Sequence, residues 1–236
     1  MYTYPVGGRA CRPPGRPRAA QWCGARVADA VNIDQFLRDR GFDTPEAARR
    51  AREVLQERGL TRAGKQAFAA DKLVAAEAAL AAALARVCGD ACLRIDRWVP
   101  GPAREAVRVM PRGCEICGGS NNRRAALECA RALARKRVRR VVIVGGTAAT
   151  QHELHELLAG SGLEIRYVDG TKASHSGKDA LANTRWAQLI VIWGATPLRH
   201  AVSELYTSEP PPDGRILTVS RRGVEALCGE IVRSYT

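Results

Sequence analysis

The sequence predicts an α/β protein whose C-terminal end is a small, doubly wound parallel sheet, preceded by a helical unit and a cysteine-rich module. Three observations carry this expectation. After residue 138, apolar β-branched runs alternate with helical stretches, the pattern of a parallel sheet covered on both faces. Between residues 29 and 87 the apolar residues recur at helical spacing. Between these regions stand two close cysteine pairs, Cys88 with Cys92 and Cys114 with Cys117.

In chain order, residues 1–28 are rich in Gly, Pro and Arg, without a hydrophobic period, and predict a flexible basic arm. Phe36 and Leu37 anchor a short first helix that Gly41 ends. Thr44 caps the next, with Pro45 at its first position and Ala47, Ala48, Ala51, Val54 and Leu55 on one side. GLTRAGKQAF reads as a connector to a long alanine-rich helix from about Ala70 to Val87. Three helices joined by short connections are compatible with a helix-turn-helix unit, in which Arg62 and Lys65 would be the DNA contacts.

The chain has 236 residues and a net charge of +13, distributed unevenly. Residues 1–28 carry +5, 29–90 are neutral, 91–140 carry +9 and 141–236 carry −1. A charge confined to the tail and the middle of the chain points to a polyanionic partner there, nucleic acid first, with DNA favoured over RNA. No apolar run approaches the ~20 residues of a membrane span, and no continuous apolar leader follows the N-terminus. The expected location is therefore cytoplasmic, where eight cysteines read as thiols or metal ligands and not as disulfides.

Cys88-x3-Cys92, about twenty residues, then Cys114-x2-Cys117 is the spacing of a four-thiolate zinc site. Four cysteines close the coordination shell, so one structural Zn²⁺ is expected, not a catalytic one. The intervening loop has room for the short strands of a zinc ribbon, covering residues 88–137 together with a basic helix. Cys129 and Cys228 are left without assigned chemistry, as are Cys11 and Cys23. After Cys117, Gly118 and Gly119 allow a tight turn, and Ser120, Asn121 or Asn122 can cap a helix over RRAALECARALARKR. Ala126, Leu127, Ala130, Leu133 and Ala134 make its expected core stripe. Arg124, Arg131 and Arg135 lie along another side, and Arg123, Arg137 and Arg139 extend the charge. A rigid metal knuckle would thus aim the N-terminus of a basic helix, an end that already favours phosphate.

From 138 to 236 the elements read strand VVIVGG, helix QHELHELLAG, strand LEIRYVDG, helix KDALANTRWA, strand QLIVIWGATP, helix PLRHAVSELY, strand RILTVS and helix RGVEALCGEIVRS. This is a Rossmann-like arrangement. Ligands in such sheets bind at the carboxyl ends of the strands, where the candidate groups are Gly145, Gly146, Thr147, Asp169, Thr196, His200 and Arg222. GGTAAT lacks the G-x-G-x-x-G fingerprint. The same region resembles an uncharacterised bacterial Rossmann-like domain family on Gly145-Gly146, Asp169-Gly170, His200 and Arg222-Gly223. The chain departs from that pattern at Ala195-Thr196-Pro197, where the family more often has an Asp-Cys turn. The resemblance implies the fold and no activity.

These features together predict a zinc-stabilised nucleic-acid-binding protein, a regulator or accessory subunit of a bacterial DNA-handling system. The rivals are a nucleotide- or phosphate-binding protein, or enzyme, using the sheet's carboxyl edge, and an adaptor whose basic patch meets an acidic protein; a homo-oligomer or another protein partner stays open beside them.

Overall fold

Two oxygen caps set the first helices. In the computed structural model, which describes residues 30–98, 101–171, 177–194, 198, 200–208, 211 and 214–235, Asn32 Oδ1 accepts from the Gln35 amide at 2.9 Å and Thr44 Oγ1 from the Ala47 amide at 3.2 Å. They start α1 (Ile33–Asp39) and α2 (Pro45–Glu57). The arm expected over residues 1–28 lies outside the described residues.

The connector between α2 and the alanine-rich helix contains a strand. There β2 (Ala67–Ala69) pairs antiparallel with β1 (Ala30–Asn32), with Phe68 opposite Val31. A three-residue strand leaves no period to read. Phe68 makes it worthwhile, packing edge-on against Phe36 at 5.2 Å between ring centroids.

The alanine-rich helix, α3, spans Leu73–Ala83 and stops short of Val87. Leu84–Val87 instead form β3, parallel to β4 (Glu105–Arg108), with Leu84 beside Glu105 and Val87 beside Arg108. Leu84, Ala85 and Val87 are buried, so ladder pairing and burial override the local helical preference. A short helix, α4 (Asp90–Asp96), connects the two strands. The segment between the cysteine pairs therefore does not hold both strands of the expected ribbon; its strand pairs with one that precedes Cys88.

One apolar core runs from Ile33, Phe36, Leu37 and Leu55 through Leu80 and Leu84 to Val107, Val109, Cys114 and Cys117. The boundary expected at 87/88 thus passes through packed side chains. Backbone contact is close as well: a Cβ on Gly113 would lie 2.6 Å from the Gly41 carbonyl oxygen.

The remaining strands are β5 (Arg140–Gly145), β6 (Glu164–Val168), β7 (Leu189–Trp193) and β8 (Arg215–Val219), all parallel, in the order β6-β5-β7-β8. Two-residue periodicity splits the central strand between two cores. Val141 and Ile143 join the core formed with α5 (Asn121–Arg135), α6 (Ala148–Leu158) and α9 (Val224–Tyr235). Val142 and Val144 join the opposite one, with Ala180 of α7 (Gly177–Trp186) and Val202 and Tyr206 of α8 (His200–Thr207). Helices therefore cover both faces, which is why β5 and β7 are almost wholly apolar while the edge strands β6 and β8 carry exposed polar residues.

The basic helix α5 belongs to this sheet core. Its buried stripe is Ala126, Cys129, Ala130 and Leu133, whereas Leu127 is half-buried and Ala134 exposed. The helix is rotated from the expected stripe because it packs on α9, where Cys129 meets Cys228. Among the described residues no helix is long and apolar enough to cross a membrane.

Candidate metal centre and basic groove

Cys88 ends β3's turn, Cys92 sits on α4, and Cys114 and Cys117 flank the tight turn after β4. The four sulfurs all lie within 4.8 Å of one another. Cys88 Sγ is 3.6 Å from both Cys92 Sγ and Cys117 Sγ. A tetrahedron with metal–sulfur bonds of about 2.3 Å has edges of about 3.8 Å, so the cluster matches a four-coordinate ion in size. The same separations are far beyond the ~2.05 Å of a disulfide, and all four cysteines are free thiols.

The electrostatics call for a cation. Burial, followed by the neighbouring sulfurs, pushes the Cys88 and Cys92 thiols above their ordinary value. Burial acts on Cys114 too, but the backbone N–H groups of Cys117, Ile116 and Cys88 outweigh it and hold that thiol below the ordinary value. Such N–H donors would orient and stabilise a thiolate. Four thiolates in a site this enclosed need positive charge among them, and a bound metal supplies it.

The knuckle is held by a partly buried ion-pair network. Glu115 accepts from Arg86 Nε at 3.0 Å and from Arg104 Nη1 at 2.8 Å, and Arg104 also reaches Asp96 at 3.2 Å. Gly118 and Gly119, at φ 55° and 85°, turn the chain out of the knuckle in a conformation that side chains disfavour. Ser120 then donates its amide to the Cys117 carbonyl at 2.9 Å, and its hydroxyl caps α5 by accepting from the Arg123 amide at 3.2 Å. The cysteine cluster and the basic helix are thus joined by three residues.

The arginines of α5 divide between two neighbouring cavities that share Glu128. Arg131 and Arg135 line one of about 300 Å³, with Arg94, Lys136, Val232 and Tyr235. Arg124 lines one of about 500 Å³, with Arg221 and Arg222 from the β8–α9 turn and Arg233 of α9. The expected stripe of Arg124, Arg131 and Arg135 is therefore brought to the α5–α9 groove, and Arg222 joins it there. Glu128 interrupts the positive charge but is paired with Arg94 of α4 at 2.9 Å. Arg123, Arg137 and Arg139 are exposed near the two ends of α5. Arg62 and Lys65 are exposed in the turn after α2, which puts them on a loop and not on a helix presented to a groove. The arginines of α2 face acids: Arg49 meets Glu53, Arg50 meets Glu57 and Glu105, and Arg52 meets Asp34.

At the sheet's carboxyl edge Gly145, Gly146, Thr147 and Asp169 make local contacts. Gly145 and Gly146 adopt φ 98° and 82°, and a Cβ on Gly146 would come 2.5 Å from the Trp193 ring. That fully buried ring packs against the β5 turn, and its Nε1 donates to the Arg221 carbonyl at 3.1 Å. Thr147 forms a capping box with Thr150 for α6, and Asp169 Oδ1 accepts from the Thr171 amide at 2.9 Å and its hydroxyl at 2.6 Å. Thr196 lies outside the described residues, and His200 begins α8.

Sequence reasoning missed Arg94, Arg221 and Arg233, because their meeting with α5 depends on how α4 and α9 dock. Only the doubled arginine of SRRG gave a local signal. The close approach of Trp193 to Gly146 had none. Comparison with protein-family models, with curated proteins and with solved structures returned no match to this chain.

Proposed function

We propose that this is a nucleic-acid-binding protein stabilised by one structural Zn²⁺ on Cys88, Cys92, Cys114 and Cys117. The observation that carries the reading is the convergence of Arg124, Arg131 and Arg135 with Arg221, Arg222 and Arg233 along one α5–α9 groove. Guanidinium groups at this density suit successive phosphates, which they hold without reading sequence. Zinc fits the donors, since four thiolates of tetrahedral size form a closed structural site. When bound it fixes the knuckle, and the knuckle fixes the N-terminus of α5. The four-stranded sheet of order β6-β5-β7-β8 serves in this reading as a Rossmann-like scaffold for the groove, consistent with a cytoplasmic regulator or accessory subunit acting on DNA.

The test is fluorescence anisotropy of the full-length protein with duplex and single-stranded DNA and RNA. Micromolar or tighter binding at low salt is expected, abolished by Arg131→Glu with Arg135→Glu. Binding that the double charge reversal leaves intact would move the interface elsewhere. Absence of binding to all four probes would remove the reading, and co-purification of an acidic protein would favour an adaptor.

A further inference from the structure

The larger of the two cavities has features that phosphate tracking along a helix does not require. Its α9 wall is Glu225, Ala226, Gly229 and Arg233, one face at helical spacing. Its α5 wall is Asn121, Asn122, Arg124, Ala125 and Glu128. Ala125, Ala226 and Gly229 are small, and they open the volume between the helices.

Gly229 is the informative residue. It sits in the middle of α9, where glycine is the least favourable choice after proline. Packing gives no reason for it: an added Cβ would meet only Arg233 Nη1, at an ordinary 3.7 Å. Its backbone is not in the left-handed region. The missing side chain leaves space in the cavity and nowhere else that the structure records.

Around that space stand four guanidinium groups and two carboxylates, Glu128 and Glu225, which leave the lining net positive. Arg233 is paired with Glu230, and Arg124 donates to the neutral Asn121 amide oxygen at 2.8 Å. Arg221 lies within electrostatic reach of Glu230, and Arg222 is exposed at the cavity's edge. Asn122 braces the walls, accepting from the Glu225 amide at 3.2 Å and donating to Glu153 of α6 at 2.7 Å. An open cleft of about 500 Å³ is of the size that takes a single small ligand. A phosphate monoester carries about −1.5 to −2 at pH 7, more than an internal diester, and so gains more from four arginines around one cavity.

We propose that this cavity binds the terminal phosphate of a nucleotide unit, whether the 5′ end of a strand or a free mononucleotide. The strand-end form rests on the nucleic-acid reading above; the mononucleotide form does not. Gly229 makes room for the group, Arg124, Arg221 and Arg222 hold it, and Asn122 keeps the two helices apart at the distance it needs.

The experiment compares a 5′-phosphorylated and a 5′-hydroxyl single-stranded oligonucleotide of the same sequence, with nucleoside 5′-monophosphate as competitor, on the metal-loaded full chain. The wild type is expected to favour the phosphorylated end by about tenfold. Gly229→Leu, which fills the cavity, and Arg222→Ala should each bring that preference to within about twofold. Circular dichroism and the melting profile of Gly229→Leu establish that it folds, and Gly229→Ala serves as a second, helix-favouring variant expected to lose part of the preference. Competition by the monophosphate extends the site to free nucleotides. Equal binding of both oligonucleotides by the wild type, with no mononucleotide binding, overturns this inference and leaves the nucleic-acid reading standing. Mononucleotide binding without binding of either oligonucleotide supports the cavity and overturns the nucleic-acid reading. Binding of none overturns both.

Discussion

Arg137 follows the C-cap of α5 with φ 58°, a position where glycine is the usual residue. Its amide bonds the Ala134 carbonyl at 3.0 Å, and Val138 reaches back to Leu133 at 3.0 Å, so the helix stop is well made despite the strain. Arg137→Gly should raise stability by about 1 kcal/mol while weakening nucleic-acid binding, measured by denaturant titration and anisotropy on the same variant. A drop in stability would show that the arginine side chain has a structural role. Tyr167 gives a pH test. Its hydroxyl is buried without a partner among the described residues, and burial pushes its pKa from the usual value near 10 up to about 12. The raised value means that its share of stability is intact below pH 10 and is lost as pH climbs from 10 towards 12. Tyr167→Phe should remove that share of the alkaline loss, leaving the part due to Tyr206 and Tyr235, which burial also raises. An unchanged profile of stability against pH would argue that Tyr167 is solvated. At this scale the four clustered cysteines were legible because chelation demands close pairs. Gly229 and Trp193 were not, since their meaning depends on what the fold sets opposite them.

Among the elements, the turn from Cys114 to Ser120 joins the cysteine cluster to the groove, and Glu115 is its anchor. Removing that carboxylate leaves Arg86 and Arg104 facing each other across a partly buried space. Glu115→Ala should cost about 2 kcal/mol and loosen metal binding, read by denaturant titration and by competition with a chromophoric chelator. Full metal affinity in a destabilised variant would separate the network from the knuckle. Helices α1, α2, α6 and α9 and strands β5 to β8 could be placed from the sequence because caps, glycine stops and apolar periodicity agree there. The failures have two causes. Leu84–Val87 continues an alanine-rich helical pattern yet pairs with β4, where contacts distant in sequence override local preference, while Asp90–Asp96 and β2 are too short to show a period.

At the scale of the whole molecule, the metal site and the helical unit share a core, while α5 belongs to the sheet. The knuckle and α4, whose Arg94 pairs with Glu128 of α5, connect these two packed bodies of side chains. Charge pattern found the basic segment, but only packing shows that its arginines meet those of α9. Metal removal should act unevenly. In hydrogen exchange, a chelator is expected to expose amides of β3, β4 and residues 109–117 while β5 and β7 keep their protection. Uniform loss across both cores would mean that the two bodies unfold as one.

The central claim is that phosphates lie along the α5–α9 groove, and the salt dependence of binding reads it most directly. For wild-type protein on duplex DNA, log affinity against log salt should be linear, with a slope of about −0.9 for each phosphate neutralised. Replacing Arg124, Arg131 and Arg135 together by alanine should make that slope shallower by about 2 to 3 units. A triple variant that binds with the wild-type slope would contradict the account.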